Sequence, residues 1–161
     1  MLRHSRLFGG FASCTRQSMR PLSPERQRTL ALQERVFRFA CTVLLACPET
    51  IRHLASREVW RQLVRAAPST SNNLEEADEA SSTRDFIAKM KIALREAKES
   101  RRCLRFLKVC RLANHQRLGN LEDEARQIAA IFAAIVINTR RRSEEEKNKA
   151  KREKEKGERP R

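Results

Sequence analysis

A run of apolar residues at helical spacing in the middle of this 161-residue chain restricts the folds that the chain can adopt. The run follows Ser82-Thr83-Arg84-Asp85, which has the spacing of a helix capping box with Asp in place of the commoner Glu. The apolar residues step by three or four positions and predict one long helix, the clearest element of the sequence. They are Phe86, Met90, Ala93, Ala97, Leu104 and Leu107.

Three further helices are predicted around this one. Ser23-Pro24-Glu25 supplies an N-cap, a proline in the first position and an acid in the first turn, and Pro48 ends that helix. The second helix begins near Ser56, and Asn120 caps a fourth that starts with the acids Glu122 to Glu124. Apolar residues mark the inner face of each helix. In the first helix they are Leu30, Phe37, Ala40, Leu44 and Cys47, with Val36 and Val43 beside them. In the second they are Val59, Trp60, Leu63, Ala66 and Ala67, and in the fourth Leu121, Ala125, Ile128, Phe132 and Ile135.

Four helices with short connections predict an all-α fold, an antiparallel up-and-down four-helix bundle over residues 23–139. Residues 1–22 form a basic extension that is expected to be disordered. Three interpretations of it remain open: a transit peptide, which its composition resembles, an unstructured extension, or a start codon assigned too far upstream. Residues 140–161 are charged and expected to be a frayed helix or disordered. No stretch approaches the roughly 20 apolar residues needed to cross a bilayer.

The formal charge of +15 is unevenly distributed along the chain. Residues 1–27 contribute +4 and residues 140–161 contribute +5, which leaves +6 for residues 28–139. Within that middle part, the segment from Arg84 to Arg111 has ten basic residues against three acidic ones, a local excess of +7. Such an excess makes nucleic acid the first class of partner to consider.

Six bases of the third helix repeat at heptad spacing and fall on the side away from its apolar residues. The phosphates of a nucleic acid would meet regularly spaced cations there, and counterion release would supply affinity with little sequence specificity. The alternative is an ordinary solvated face, because Lys and Arg are good helix formers. The six, which we call the basic stripe, are Arg84, Lys91, Arg95, Lys98, Arg102 and Arg105.

Four polar residues form a second candidate set, predicted to be structural. Arg65, Asn73, Glu76 and Glu99 are expected to make hydrogen bonds inside the bundle or between subunits and to fix the register of the helices. Glu99 is a possible partner of Arg65 or Arg95.

No arrangement typical of catalysis accompanies these sets. The sequence has no glycine-rich phosphate loop, no nucleophile elbow and no His-based dyad. Its three His lack ligand spacing, and its five Cys form no CxxC pair, which favours a reducing cytoplasm. We therefore expect a cytoplasmic protein that is not an enzyme and has no metal or cofactor.

Three motifs carry a family resemblance. They are Gln62-Leu63, Arg65-Ala66-Ala67, Ser69, Asn73 and Glu76; DFIAKMKIALREAKES from Asp85 to Ser100; and RLANHQRLGNLEDEARQIAAIF from Arg111 to Phe132. Together they resemble the bacterial four-helix bundle protein family, which includes the proteins encoded in intervening sequences of 23S ribosomal RNA genes. Accessory variability proteins of diversity-generating retroelements are similar. The resemblance covers about residues 28–139, and the sequence departs from the family pattern at Pro68, Thr70, Ser71, Ala77 and Cys103.

The resemblance implies a small cytoplasmic bundle that assembles as a ring-like homo-oligomer, a pentamer, with a basic surface suited to nucleic acid. It implies no catalytic residues. Three functions remain open: a non-enzymatic oligomeric bundle that binds nucleic acid, RNA foremost, through the basic stripe; an accessory adaptor for a reverse transcriptase; and a purely structural bundle whose charged tails bind nonspecifically.

Overall fold

A computed structural model describes residues 21–113 and 118–157. It contains four helices in that range, α1 (Pro24–Ala46), α2 (Leu54–Asp78), α3 (Thr83–Val109) and α4 (Leu121–Gly157). Helices that follow each other along the chain pack together, α2 against α3 most extensively. The protein is therefore all-α, with the up-and-down arrangement that the sequence predicts. Most of the N-terminal extension, His115 and residues 158–161 lie outside the described residues.

The helix starts follow from the capping residues found in the sequence. The Ser23 hydroxyl accepts a hydrogen bond from the Arg26 N–H at 3.2 Å, with Pro24 in the first turn. Ser82 likewise accepts from the Asp85 N–H at 3.2 Å. Both contacts satisfy backbone donors that a helix leaves free at its start. The predicted starts of α1 and α3 are confirmed.

The end of α3 has a feature that the sequence did not indicate. The Leu112 N–H donates to the Leu107 carbonyl at 2.9 Å and the Arg111 N–H to the Lys108 carbonyl at 3.3 Å, the two bonds of a Schellman motif. Arg111 occupies the left-handed position of this motif with φ of 53°. Glycine is the usual residue there because a side chain costs free energy in that conformation. An arginine thus ends the most basic helix of the protein.

The core lies between the apolar faces of all four helices. Its largest fully buried side chains include Trp60 and Leu63 of α2, Met90 of α3 and Phe132 of α4. Trp60 is 1% exposed, which confirms its predicted packing role. The inner faces predicted for α2, α3 and α4 are largely those observed.

The inner face of α1 differs in part from its predicted apolar stripe. The predicted Val36, Ala40 and Val43 are buried against the bundle, together with Phe39 and Ala46, whereas Leu30, Phe37 and Leu44 are exposed. At 100° per residue the centres of the buried and exposed rows lie about 120° apart around the helix. The sequence pattern is ambiguous because α1 has apolar residues on both sides. The packing of α1 onto α2 and α4 selects the side that contains Val36.

Ion pairs join neighbouring helices at the rim of the core. Arg35 of α1 donates to both carboxylate oxygens of Glu124 of α4, at 2.7 and 2.9 Å. The hydrogen bond that Arg35 donates to Glu124 raises the pKa of the Arg35 guanidinium, although burial opposes that change. Arg26 of α1 pairs with Asp78 at the end of α2. Bidentate arginine–carboxylate contacts fix orientation as well as charge, so Arg35 helps to align α1 with α4.

The fourth helix continues past residue 139, where the predicted bundle ends, as far as Gly157. The side chains from residue 140 to residue 154 are exposed, apart from the half-buried Ser143. Good helix formers dominate this segment, and Arg141 lies 3.9 Å from Glu145 one turn later. Helix propensity and local charge pairs account for helical structure that buries little apolar surface.

Candidate nucleic-acid interface

The basic stripe lies on the outer side of α3. All six of its side chains are exposed: Arg84, Lys91, Arg95, Lys98, Arg102 and Arg105. The opposite side of the same helix is buried and contains Met90, Ala93 and Ala97. The heptad spacing therefore predicted correctly which side of α3 is accessible to a partner.

Ion pairing distinguishes most of the stripe from two other cations of α3, Lys89 and Lys108. Lys89 and Lys108 lie on the flanks of the helix and pair with Glu76 of α2 at 3.3 Å and Glu122 of α4 at 3.5 Å. Of the stripe, Arg95 contacts Glu96 at 3.3 Å. The other five form no ion pair within residues 21–113 and 118–157. These five charges remain available to an anion from outside the chain.

The C-terminal half of the stripe lines a shallow groove of about 290 Å³. Its lining consists of Lys98, Arg101, Arg102 and Arg105, without a carboxylate. Arg101 was not part of the predicted stripe because it lies off its axis on a helical wheel. It is half-buried and directed to the same groove. Four cations without an acid form a local positive potential that favours phosphate groups.

An exposed aromatic residue that is not among the predicted site residues lies at the same end of α3. Phe106 is 50% exposed and follows Arg102 by four residues, a spacing that brings two side chains together on a helix surface. Val109, one turn further, is also exposed. The groove thus ends beside an aromatic ring that is open to a planar ligand.

The four residues of the predicted polar centre do not form one hydrogen-bonded cluster within a single chain. The Asn73 amide donates to the Ser69 carbonyl at 2.8 Å in its own helix, and Glu76 pairs with Lys89. Arg65 is exposed and Glu99 half-buried, and neither Glu99–Arg65 nor Glu99–Arg95 forms an ion pair. A role for this set between subunits stays a prediction.

Among the described residues, no group of three or more His, Cys, Asp or Glu side chains could hold a metal ion. Cys103 is buried, and its burial, reinforced by the nearby Glu99 charge, raises the pKa of its thiol to about 11. The thiol is therefore protonated and unreactive at neutral pH.

No helix in the described ranges has the length and apolar character required to span a membrane.

The chain is similar to a known protein family and to a solved structure. A model of the family described as 23S rRNA-intervening sequence protein matches residues 28–134. A crystal structure of a protein of unknown function from the S23 ribosomal protein family of Bacteroides thetaiotaomicron has a similar fold, with a TM-score of 0.56 at 22% identity. That similarity covers 68% of this chain and 97% of the other. No curated protein matches the chain.

Proposed function

The chain belongs to the 23S rRNA-intervening sequence protein family, and on that premise we propose that it is a non-enzymatic, oligomeric helical bundle that binds RNA through the basic stripe of α3. The observation that supports this most strongly is the state of the stripe. Five of its six cations are exposed and form no ion pair in the described part of the chain. Cations at the flanks of the same helix are neutralised by neighbouring helices.

The position of Phe106 favours single-stranded RNA as the ligand. Duplexes offer their phosphates but hide the faces of their bases, whereas unpaired bases stack on exposed aromatic rings. Phe106 lies next to the groove of Lys98, Arg102 and Arg105, so phosphate contacts and one stacking contact are available together. One aromatic residue supplies little sequence information, so we expect weak specificity.

The outer side of α1 supports a homo-oligomer. Leu30, Phe37 and Leu44 form an exposed apolar row about 120° around α1 from the row that packs into the bundle, and Leu45 beside them is 86% exposed. A helix that is apolar on two sides is typical of one that is buried on both. We propose that this row, the apolar row of α1, packs against further copies of the chain. The resemblance implies a ring of five, which would repeat the basic stripe around the assembly.

The remaining parts of the proposal concern activity and location. Without a catalytic constellation, binding itself is the function that we propose, in the cytoplasm, where the free Cys41, Cys47, Cys103 and Cys110 would stay reduced.

A double charge reversal tests the proposal. The full-length variant Lys98→Glu/Arg102→Glu removes two phosphate contacts from the groove and adds repulsion. Each phosphate contact to a single strand is worth about fourfold in affinity near 0.15 M salt, from a salt slope of about 0.7 per contact. With the added repulsion, we expect affinity for a 12-nucleotide RNA to fall on the order of 100-fold, measured by fluorescence anisotropy.

The matched control is Arg28→Glu/Arg57→Glu, which makes the same change of charge on α1 and α2. Both residues are exposed, and neither forms an ion pair that the structure describes. If the control loses as much affinity as the stripe variant, binding reflects net charge alone. Unchanged binding by the stripe variant would exclude α3 as the site.

A further inference from the structure

The N-terminal half of the basic stripe lines a second cleft, which is separate from the groove of Lys98 to Arg105. This cleft, of about 350 Å³, lies between the start of α3 and the part of α4 that continues beyond the predicted bundle. Its cations come from both helices, Arg84 and Lys91 from α3 and Arg140 and Lys147 from α4. We call it the α3–α4 cleft. Its other lining residues are Thr83, Ile87, Ala88 and Ser143.

The chemistry of the α3–α4 cleft is that of an anion site. None of its lining residues is acidic, and the Glu residues of α4 at positions 144–146 do not line it. Its four cations form no ion pair in the two stretches of chain that the structure describes. The hydroxyl groups of Thr83 and Ser143 add hydrogen-bond donors, and Ile87 and Ala88 give it an apolar floor. Four like charges around one cleft repel one another until an anion compensates them.

The antiparallel packing of α3 and α4 explains why these residues meet. Lys91 lies 18 residues before the end of α3, and Thr139 lies 18 residues after the start of α4. Because both helices rise 1.5 Å per residue from the turn that joins them, the two positions are at similar heights. The bases at positions 140 and 147 on one face of α4 therefore face the first two turns of α3.

The α3–α4 cleft lies at a distance from the C-terminal groove that suits one continuous strand. The midpoints of Arg84–Lys91 and of Lys98–Arg105 are 14 residues apart along α3, which is about 21 Å. A stacked single strand rises about 3.4 Å per nucleotide, so about six nucleotides span that distance. A strand bound to the groove reaches the cleft without crossing an acidic surface of α3.

We propose that the α3–α4 cleft is a second phosphate-binding site, which holds the backbone of the same RNA strand that occupies the groove of Lys98 to Arg105. This inference rests on the proposed function. It assigns a binding role to Arg140 and Lys147, which belong to a segment that the sequence alone presents as a solvated tail. The RNA strand would then lie along the whole length of α3, and at the start of α3 it would also contact α4.

The experiment compares two neutralising variants of the full-length chain. Arg140→Gln/Lys147→Gln removes the α4 cations of the cleft. Arg142→Gln/Lys149→Gln makes the same change of charge in the same helical segment, but at about 180° from the cleft on a helical wheel. Binding of 4- and 12-nucleotide single-stranded RNAs is measured for both by fluorescence anisotropy, because the shorter RNA covers one site and the longer one spans two.

For Arg140→Gln/Lys147→Gln we expect the affinity for the 12-nucleotide RNA to fall about tenfold and the salt slope to fall by about 1.4, the effect of two lost phosphate contacts. The control variant and the 4-nucleotide RNA should show much smaller changes. Equal losses in the two variants, or none in either, would overturn the inference. A loss confined to Lys98→Glu/Arg102→Glu would preserve the proposed function while removing the cleft from it. Affinity for an acidic protein segment without an effect on RNA would also overturn the inference.

Discussion

Helices α1 and α3 bury one side each in the same core but differ on the side that faces outward. The outer side of α1 has the apolar residues Leu30, Phe37 and Leu44. On the outer side of α3, five of the six cations of the basic stripe lack carboxylate partners among the described residues, and Arg95 contacts Glu96. An apolar row along about four turns, or a row of charges of one sign, is unusual for a solvated helix face. This difference is the reason for proposing two different partners, a further copy of the chain at α1 and a polyanion at α3.

The largest effect is expected from breaking the apolar row of α1. Phe37→Glu/Leu44→Glu places charges in the proposed contact between copies, so the particle should fall to the monomer mass of 18.7 kDa in light scattering. Since linked sites raise apparent affinity by about 10²–10⁴-fold, long RNA should bind at least about 100-fold more weakly, while the 12-nucleotide RNA is affected less.

Leu54→Glu serves as the control for this variant, since Leu54 is an exposed apolar residue at the start of α2. It should keep the mass of the parent protein. A parent protein that is already monomeric at micromolar concentration would contradict the oligomer, and would leave the apolar row to a different protein, such as the reverse transcriptase that the resemblance implies.

A pH titration of stability tests whether the inner side of α3 is buried at Cys103. The raised pKa of the buried Cys103 thiol, about 11, means that the folded state keeps this proton above pH 9 while the unfolded state loses it. The free energy of unfolding is therefore unaffected below about pH 9 and falls by about 2–3 kcal/mol as the pH rises to 11. Denaturant melts of the parent and of Cys103→Ala measure this, and their stability difference should narrow over that range. A constant difference from pH 8 to pH 11 would contradict the burial of the thiol.

The smallest effect concerns the aromatic end of the groove. Phe106→Ala should weaken binding of single-stranded RNA by about 1–3 kcal/mol, the usual value of one stacked base, and leave duplex RNA unchanged. Phe106→Trp should keep or improve the affinity, and Val109→Ala, which removes an exposed side chain without a ring, should have no effect. Equal losses for single strands and duplexes would show that Phe106 has no role in stacking.

Local signals in the sequence predict much of this structure. Capping at Ser23 and Ser82 depends on residues within one turn, and the inner side of α3 follows from uninterrupted spacing. The same spacing predicts the exposure of the basic stripe. Where a helix has apolar residues on both sides, as in α1, the period alone does not say which side the bundle buries, and the pattern placed Phe37 and Leu44 inward.

The rest of the site depends on contacts between helices. The α3–α4 cleft requires Arg140 and Lys147 to face the start of α3, which is a consequence of the antiparallel register and of the length of α4. The register could have been counted from the turn, but a segment whose one apolar residue is Ala150 does not indicate packing against another helix. Phe106 differs in this respect, because its spacing of four residues from Arg102 already places it on the exposed side of α3.

The salt dependence of RNA binding tests whether the basic stripe holds the phosphates of the RNA. The association constant of the full-length protein for a 12-nucleotide single-stranded RNA is measured from 50 to 300 mM salt, beside the neutral variant Lys98→Gln/Arg102→Gln. If the basic stripe holds the phosphates, the logarithmic slope for the variant should be smaller by about 1.4, because two contacts no longer release counterions. An identical slope for the two proteins would contradict the account and place the RNA on other charges, the tails first among them.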